Sequence, residues 1–444
     1  MGAAPQADEE AAKDTDWTPE TRRVMVLLVL VNAGSQGLQG LMAPITRELQ
    51  AGLNVSLATV GVFQTLFLIT FAIATACWGV FASRVSPRRG LIAASLLWGG
   101  CCALVTLTST PTLFAGGLCL AAVGNAAIIP LTYSVAMAIV PRDDRATSLG
   151  WLGTGQALSM GLAFLAGGGL VGRFGWQAPF LLFAGSGFLA VILLALCLPK
   201  DSDAESREEA GEAPGASEPA ESGKRSGLAA LSARIAAEFA VLRQREARNV
   251  VISTVFSAMA DGTLAFWFIA MLRDDHHLSV MDATLLTVAL FVAQLPGGVI
   301  CGRFADAAER KWERGRTRLA ILLSVVAGVL YFGLFQIPWV ELSITSPACL
   351  LFCALAVIGA FISAALPPLL FNAATEVVAR PQREVMISAV SVSRIAGRAI
   401  GVQCVGLLTT TQSFSSLSMS IAIVTLCFVP SAILLQRVAT EPAM

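Results

Sequence analysis

Three ionisable residues, Asp261, Arg394 and Arg398, stand inside apolar runs where a charge is expensive. Each costs about 2.5–3.5 kcal/mol to place in hydrocarbon on insertion scales, so by default it lines a cavity or pairs with an opposite charge. For Asp261, a structural ion pair with one arginine competes with a role in solute or proton binding. For Arg398, and equally for Arg394, the competitor is a side chain that snorkels to the inner face. Two arginines one helical turn apart project from one helix face. Guanidinium grips phosphate or carboxylate through a bidentate fork, so the pair suits an anionic group. Asn372 and Glu376 are placed to join them, although Glu376 falls nearer the cytoplasmic end. Neutral candidates stand elsewhere in the apolar runs: Ser35, Gln36, Gln64, Asn125, Tyr133, Gln156 and Trp267. Each is as well suited to satisfying a backbone group as to touching a solute.

Other chemistries find no footing. Asp274-Asp275-His276-His277 has the residue types of a metal site but stands alone in a loop. No phosphate-cradling glycine loop, no nucleophile paired with a base and no zinc spacing occurs. An enzyme, a nucleotide-driven pump, a cofactor and a nucleic-acid partner are therefore not expected. The ten cysteines all fall in or beside apolar runs, which reads as packing rather than a disulfide framework.

The elements that position these residues are twelve apolar runs, starting near Val24, Val60, Leu91, Leu113, Ser148, Ala178, Val250, Ala283, Leu319, Ala348, Ile387 and Phe414. A bilayer core about 30 Å thick needs about 20 apolar residues per helix. With 55% apolar and 14% charged residues, the chain reads as an all-α, multi-pass integral membrane protein. Basic residues orient it. With both termini cytoplasmic, 25 of the 30 Lys and Arg lie inside, only Arg47, Arg173 and Arg273 lie outside, and Arg394 and Arg398 lie within a span. The N-terminal stretch is acidic and Ala-rich, without the apolar core of a cleavable signal. Gln6 stands where a myristoylation site wants Ser or Thr. A cell membrane, inner or plasma, is the expected location, the lipid bilayer the expected partner and a monomer the expected state.

A Glu-, Ala-, Ser-, Pro- and Gly-rich segment, 200–227, cannot bury enough surface to fold. The stretch 228–248 that follows has the spacing of an amphipathic helix lying on the inner leaflet. The expected organisation is a tail (1–23), a six-helix half (24–199), a linker (200–248), a second six-helix half (249–437) and a short tail (438–444). The halves repeat one another. Gly79-Val-Phe-Ala-Ser83-Arg84 with Arg88 follows the second run, and Gly302-Arg-Phe-Ala-Asp306 with Arg310 follows the eighth. Val140-Pro-Arg142-Asp-Asp-Arg145 follows the fourth run, and Val378-Ala-Arg380-Pro-Gln-Arg383 follows the tenth.

With these loops the chain resembles the major facilitator superfamily, whose signature after the second helix is Gly-xxx-Asp-Arg and further basic residues. The resemblance implies twelve helices in two parallel repeats, a solute site near the midplane between them, and alternating access by rocking. It also makes Gly79, Ser83, Arg84, Arg88, Gly302, Asp306 and Arg310 gating-loop residues. Ser83 replaces the signature acid, so the first lock should be weak, whereas Asp306 keeps the second. Gly161, Gly167, Gly168, Gly169 and Gly172 of the fifth run, and Ser393, Gly397 and Gly401 of the eleventh, would be close-packing faces. The proline that follows the glycine of the fifth helix in many antiporters of the superfamily is absent.

Within the superfamily the chain is most similar to Spinster-like proteins, a group associated with lysolipid export. The similarity rests on Asn32-Ala-Gly-Ser35-Gln36 with Pro44, on Val123-Gly124-Asn125-Ala126, and on Gly262-Thr-Leu-Ala265-Phe266-Trp267. The acids and arginine of the family's ionic cluster are neutral here: Ser35, Gln36 and Asn125. The resemblance implies a secondary transporter for an amphipathic anion or lysolipid. Its matched positions Ser35, Gln36, Asn125 and Trp267, together with Asp261, Arg394, Arg398 and Asn372 read from their polarity at depth, are the candidate solute or coupling residues. A carrier of a small organic anion or drug-like solute, and a transport-inactive sensor or assembly protein, are the competing readings.

Overall fold

The computed structural model describes residues 17–81, 85–140, 145–198, 243–339, 346–379, 382–410 and 416–440. Among these residues the chain is helical and forms no strand. In hydrocarbon a helix satisfies every backbone polar group within its own segment, so apolar runs of this length have few alternatives. The first half comprises α1 (Pro19–Gln36), the short α2 (Thr46–Leu53), α3 (Leu57–Phe81), α4 (Pro87–Val105), α5 (Pro111–Ile139), α6 (Arg145–Phe174) and α7 (Gln177–Cys197). The second comprises α8 (Arg245–Asp274), α9 (Val280–Lys311), α10 (Gly315–Leu334), α11 (Pro347–Ser363), α12 (Leu366–Glu376), α13 (Arg383–Leu408), α14 (Leu417–Thr425) and α15 (Phe428–Thr440).

Local chemistry sets the helix starts. Proline opens α1, α4, α5 and α11, where its missing N–H is not needed. Hydroxyl caps precede several helices: Ser86 accepts from Arg89 N, Ser279 from Asp282 N and Ser346 from Cys349 N. Two expected spans are broken rather than continuous. The tenth divides at Ala364–Ala365, just before Pro367 and Pro368, and the twelfth divides at Leu426–Cys427, before Pro430.

Nine helical stretches among the described residues are long and apolar enough to cross a membrane. The expectation of twelve meets shorter apolar segments in α6 (Leu158–Phe174) and α9 (Val280–Gln294). The far end of α9 carries Arg303, Asp306, Glu309, Arg310 and Lys311, which cuts its apolar stretch short. Helix α1 is only 18 residues long and begins with Glu20, Arg22 and Arg23. The linker, 228–242 of the amphipathic stretch, Ser83, Arg84, Arg142 and Arg380 lie outside the described residues. Arg245 and Arg248 open α8.

The halves meet along two reciprocal seams, α3 on α13 and α6 on α9. The second long helix of each half thus packs on the fifth long helix of the other, as an internal two-fold repeat requires. Thr65 of α3 donates to the Ala399 carbonyl of α13 at 3.1 Å across the first seam. Small residues permit close helix approach both within the second half and between the halves. Gly397 and Gly401 seat α13 against the α8 backbone at Val255 and Met259, and Gly168 lies against Thr284 of α9. Gly167 packs on Pro44, but Gly161, Gly169 and Gly172 face open space, so only part of that glycine row is a packing face. All ten cysteines are unpaired. Cys101, Cys102, Cys301 and Cys349 are buried as packing residues, whereas Cys197 is exposed.

Candidate functional site

Helices α8 and α13 bring Asp261 and Arg398 together: Arg398 Nε donates to Asp261 Oδ2 at 3.0 Å. Gly262, next to the acid, makes the contact possible, because a Cβ there would stand 2.6 Å from Arg398 Cα. Arg394, one turn earlier, has neither ion pair nor hydrogen bond among the described residues. Its guanidinium lies over the Phe371 ring of α12, 5.9 Å from the centroid, a contact in which the ring face attracts the cation. Two cations therefore share one anion.

The ion pair separates two cavities. The first lies between the halves, with Gln39, Gln64 and Met160 on one side and Ala265, Phe266 and Arg398 on the other. The second lies within the second half and holds Asp261, Arg394, Ser257, Ser363 and Phe428. The two arginines, expected on one cavity wall, line different cavities. Asp261 reaches Arg398 from behind and opens toward the space that holds Arg394.

The neutral candidates of the first half form a continuous network instead of a charged cluster. Asn125 Nδ2 donates to the Ser35 carbonyl at 2.6 Å, and Asn32 Nδ2 to Thr132 Oγ1 at 2.8 Å, fastening α1 to α5. Ser35 Oγ donates to the Asn32 carbonyl, and Gln36 Nε2 to Ser35 Oγ at 3.4 Å. Gln39 Nε2 donates to Gln36 Oε1 at 2.6 Å, and Gln64 Nε2 to the Gln39 carbonyl at 3.1 Å. Ser35 and Asn125 are fully buried and away from both cavities; the network reaches the central cavity at Gln39 and Gln64.

Other expected residues are placed as follows. Trp267 is fully buried, and its indole N–H donates to the Val402 carbonyl at 2.9 Å, so it joins α8 to α13 beside the cavity rather than lining it. Asn372 sits on α12, where its carbonyl accepts from Thr375, and it does not join the arginines. Glu376 receives a hydrogen bond from Thr317 and lies 3.9 Å from Arg316, at the far end of α12. Among the gating-loop residues, Arg88 donates to the Ala195 carbonyl at the end of α7 at 2.7 Å, and Arg310 is exposed on α9. Gly79, Gly302 and Asp306 lie in α3 and α9.

A charged quartet not foreseen as a unit ties the halves together at the end reached by α1 and α8. Arg47 of α2 donates to Asp274 through Nε at 2.8 Å and through a second nitrogen. Arg273 grips Glu48 with two nitrogens, at 2.7 and 3.0 Å. A partial signal was present: the same basic–acidic dipeptide stands as Arg47-Glu48 in α2, beyond α1, and as Arg273-Asp274 at the end of α8, although it does not show that the two meet. Asp275 accepts from Ser416 and Ser418, and His276 Nδ1 bonds the Trp339 carbonyl at 2.6 Å while its ring stacks on Trp339. Asp274, Asp275 and His276 are thus committed to protein contacts, and among the described residues no group of ligands for a metal ion forms.

The sequence matches the profile of the Major Facilitator Superfamily over residues 25–248 and 250–443. Among solved structures, the fold is similar to a bacterial homologue of the human lysosomal transporter Spinster in an inward-facing, unoccupied conformation (TM-score 0.73, 15% identity, 96% of each chain). It is also similar to the nucleoside transporter NupG (TM-score 0.72, 13% identity, 96% of this chain and 100% of that one). A third similar structure is a D-xylose–proton symporter (TM-score 0.70, 13% identity, 95% and 98%). The MFS antiporter QDR2 of Candida albicans is 24% identical over 196 residues, which are 44% of this chain and 39% of that protein. These identities carry the fold and not the solute. The two repeated halves and the profile match over nearly the whole length lead to one assignment: the chain belongs to the Major Facilitator Superfamily.

Proposed function

We propose that this protein is a secondary transporter that carries an amphipathic anion through the cavity between its halves, with Arg398 as the group that receives the anion. In this reading α1, α6 and α9 complete twelve spans, and both termini and the linker are cytoplasmic. The Arg47, Glu48, Arg273, Asp274 quartet then closes the outer end, and the halves rock about it. The observation that carries the reading is one guanidinium in the central cavity, held by a single Nε contact to Asp261. Its remaining N–H donors are placed to take a phosphate or carboxylate oxygen.

Arg394 has a role in the same step. When an anion takes Arg398, Asp261 is freed to pair with Arg394, which lines its own side of the partition. The charge of the site is then balanced with solute bound. The free volume of the central cavity is about 30 Å³, room for about one water molecule. A headgroup therefore enters as the halves part, and an acyl chain must lie along the apolar surface at the cavity mouth.

The test is binding to purified full-length protein of a single-chain anionic lipid, followed by thermal shift and proteoliposome uptake. Arg398→Ala should remove the ligand-induced shift, and Arg398→Lys should weaken it, because lysine keeps the charge but loses the fork. Equal binding by wild type and Arg398→Ala would sink the assignment. A better response to short organic anions than to single-chain lipids would favour the small-solute reading of the same cavity.

A further inference from the structure

The central cavity has a cation on one side and something different on the other. The amides of the first half are aligned in one direction: Gln36 Nε2 donates to Ser35, Gln39 Nε2 donates to Gln36 Oε1, and Gln64 Nε2 donates to the Gln39 carbonyl. Each of these amide nitrogens donates to a partner inside the first half. At its end Gln64 is 4% exposed, lines the central cavity, and has an Oε1 with no hydrogen-bond partner among the described residues. The Nε2 contact to a backbone carbonyl also fixes which end of the amide is which, since only the nitrogen can donate. A buried acceptor left unpaired is costly, and of the buried side-chain atoms without a partner among the described residues, that of Gln64 is the one on a residue lining either cavity.

We infer that Gln64 is a specificity residue, selecting solutes that carry a hydrogen-bond donor, an ammonium or hydroxyl group, beside their anionic group. The inference rests on reading this cavity as the solute site. One solute then bridges both halves: its anion meets Arg398 of α13 and its N–H or O–H meets Gln64 of α3. These two helices form one of the seams between the halves, so bridging couples occupancy to their relative position. A plain monoanion engages only the second half and leaves the Gln64 oxygen unpaired.

The probes are hexadecylphosphoethanolamine, with three N–H donors, and hexadecylphosphocholine, in which methyl groups replace them while the phosphate and chain are the same. Affinity for each is measured on full-length protein in nanodiscs. Wild type should prefer the ethanolamine ester by at least about tenfold, because a site built round a polar atom rejects the analogue that leaves it unpaired. Gln64→Leu should bring the ratio to about one by weakening the ethanolamine ester. Gln64→Glu, which keeps the acceptor and adds charge, should widen the ratio and serves if the leucine variant does not fold. A wild-type ratio near one, or an unchanged ratio in Gln64→Leu, overturns the inference. Arg398→Ala separates the two readings. If it leaves both affinities intact while the Gln64 effect persists, the anion site is wrong and the donor site stands.

Discussion

The polar interiors of the two halves are built on opposite terms. In the first half Ser35, Gln36 and Asn125 are neutral and joined to one another and to the α1 backbone, and two of them are fully buried. In the second half Asp261, Arg394 and Arg398 carry charge, line cavities and remain one anion short of balance. A neutral network leaves no buried unpaired charge and can serve as framework. An unbalanced one invites a ligand. Neutral hydrogen bonding thus joins the helices of the first half, whereas the second half places its unbalanced charge beside the cavities.

The comparison predicts a ranking of effects. Asp261→Ala should be the most damaging change, leaving two arginines unneutralised. Breaking a fully buried pair costs about 3–5 kcal/mol, and this pair is 26% and 35% exposed, so about 2 kcal/mol is the expected loss in melting experiments. Adding Arg398→Leu should restore much of it. If transport varies with pH, Asp261→Asn should flatten the profile, whereas Ser35→Ala and Gln36→Ala, which remove no titratable group, should leave it unchanged. A flattened profile in either first-half variant would erase the contrast between the halves.

The quartet sharpens the contrast at the end of the molecule. Arg273→Glu sets two acids against each other and should shift the population away from this closed end, by about tenfold for about 1.4 kcal/mol. The exchange Glu48→Arg with Arg273→Glu should restore it. Accessibility of a cysteine introduced at Ala43, in the central cavity, reads the change, and equal labelling in all three proteins would remove the quartet from the mechanism. In the first half, Asn125→Ala should cost about 1 kcal/mol, the worth of one hydrogen bond, with no change in ligand affinity.

The smallest effect concerns His276, which burial holds below the ordinary histidine value, opposed by its bond to the Trp339 carbonyl and by Asp275. The unfolded chain takes up the proton first, near pH 6.5. Stability from this group is thus full above that value and falls as pH drops through the lowered folded value. His276→Phe should lessen the loss of melting temperature on acidification, by well under about 1 kcal/mol. An acid response identical to wild type would show that His276 does not contribute.

Much of this was legible in the chain. Apolar run length marks where helices lie, the loop repeats mark the halves, and a lone acid with two arginines at depth announces a pair. Which arginine pairs was not legible, because one turn separates them and helix phase against α8 decides. Asn125 and Trp267 read equally as cavity or packing residues for the same reason: rotation by one residue moves a side chain through about 100°. The quartet depends on how closely α2 and α8 approach, which no local pattern encodes. The direction of the Gln64 amide depends on a carbonyl 25 positions away.

The most direct test of the account is a structure of the full-length protein with hexadecyl phosphate bound. The phosphate should lie within hydrogen-bond distance of the Arg398 guanidinium in the cavity between the halves, with Asp261 turned toward Arg394. A phosphate bound elsewhere, with the Asp261–Arg398 pair unchanged, would contradict it.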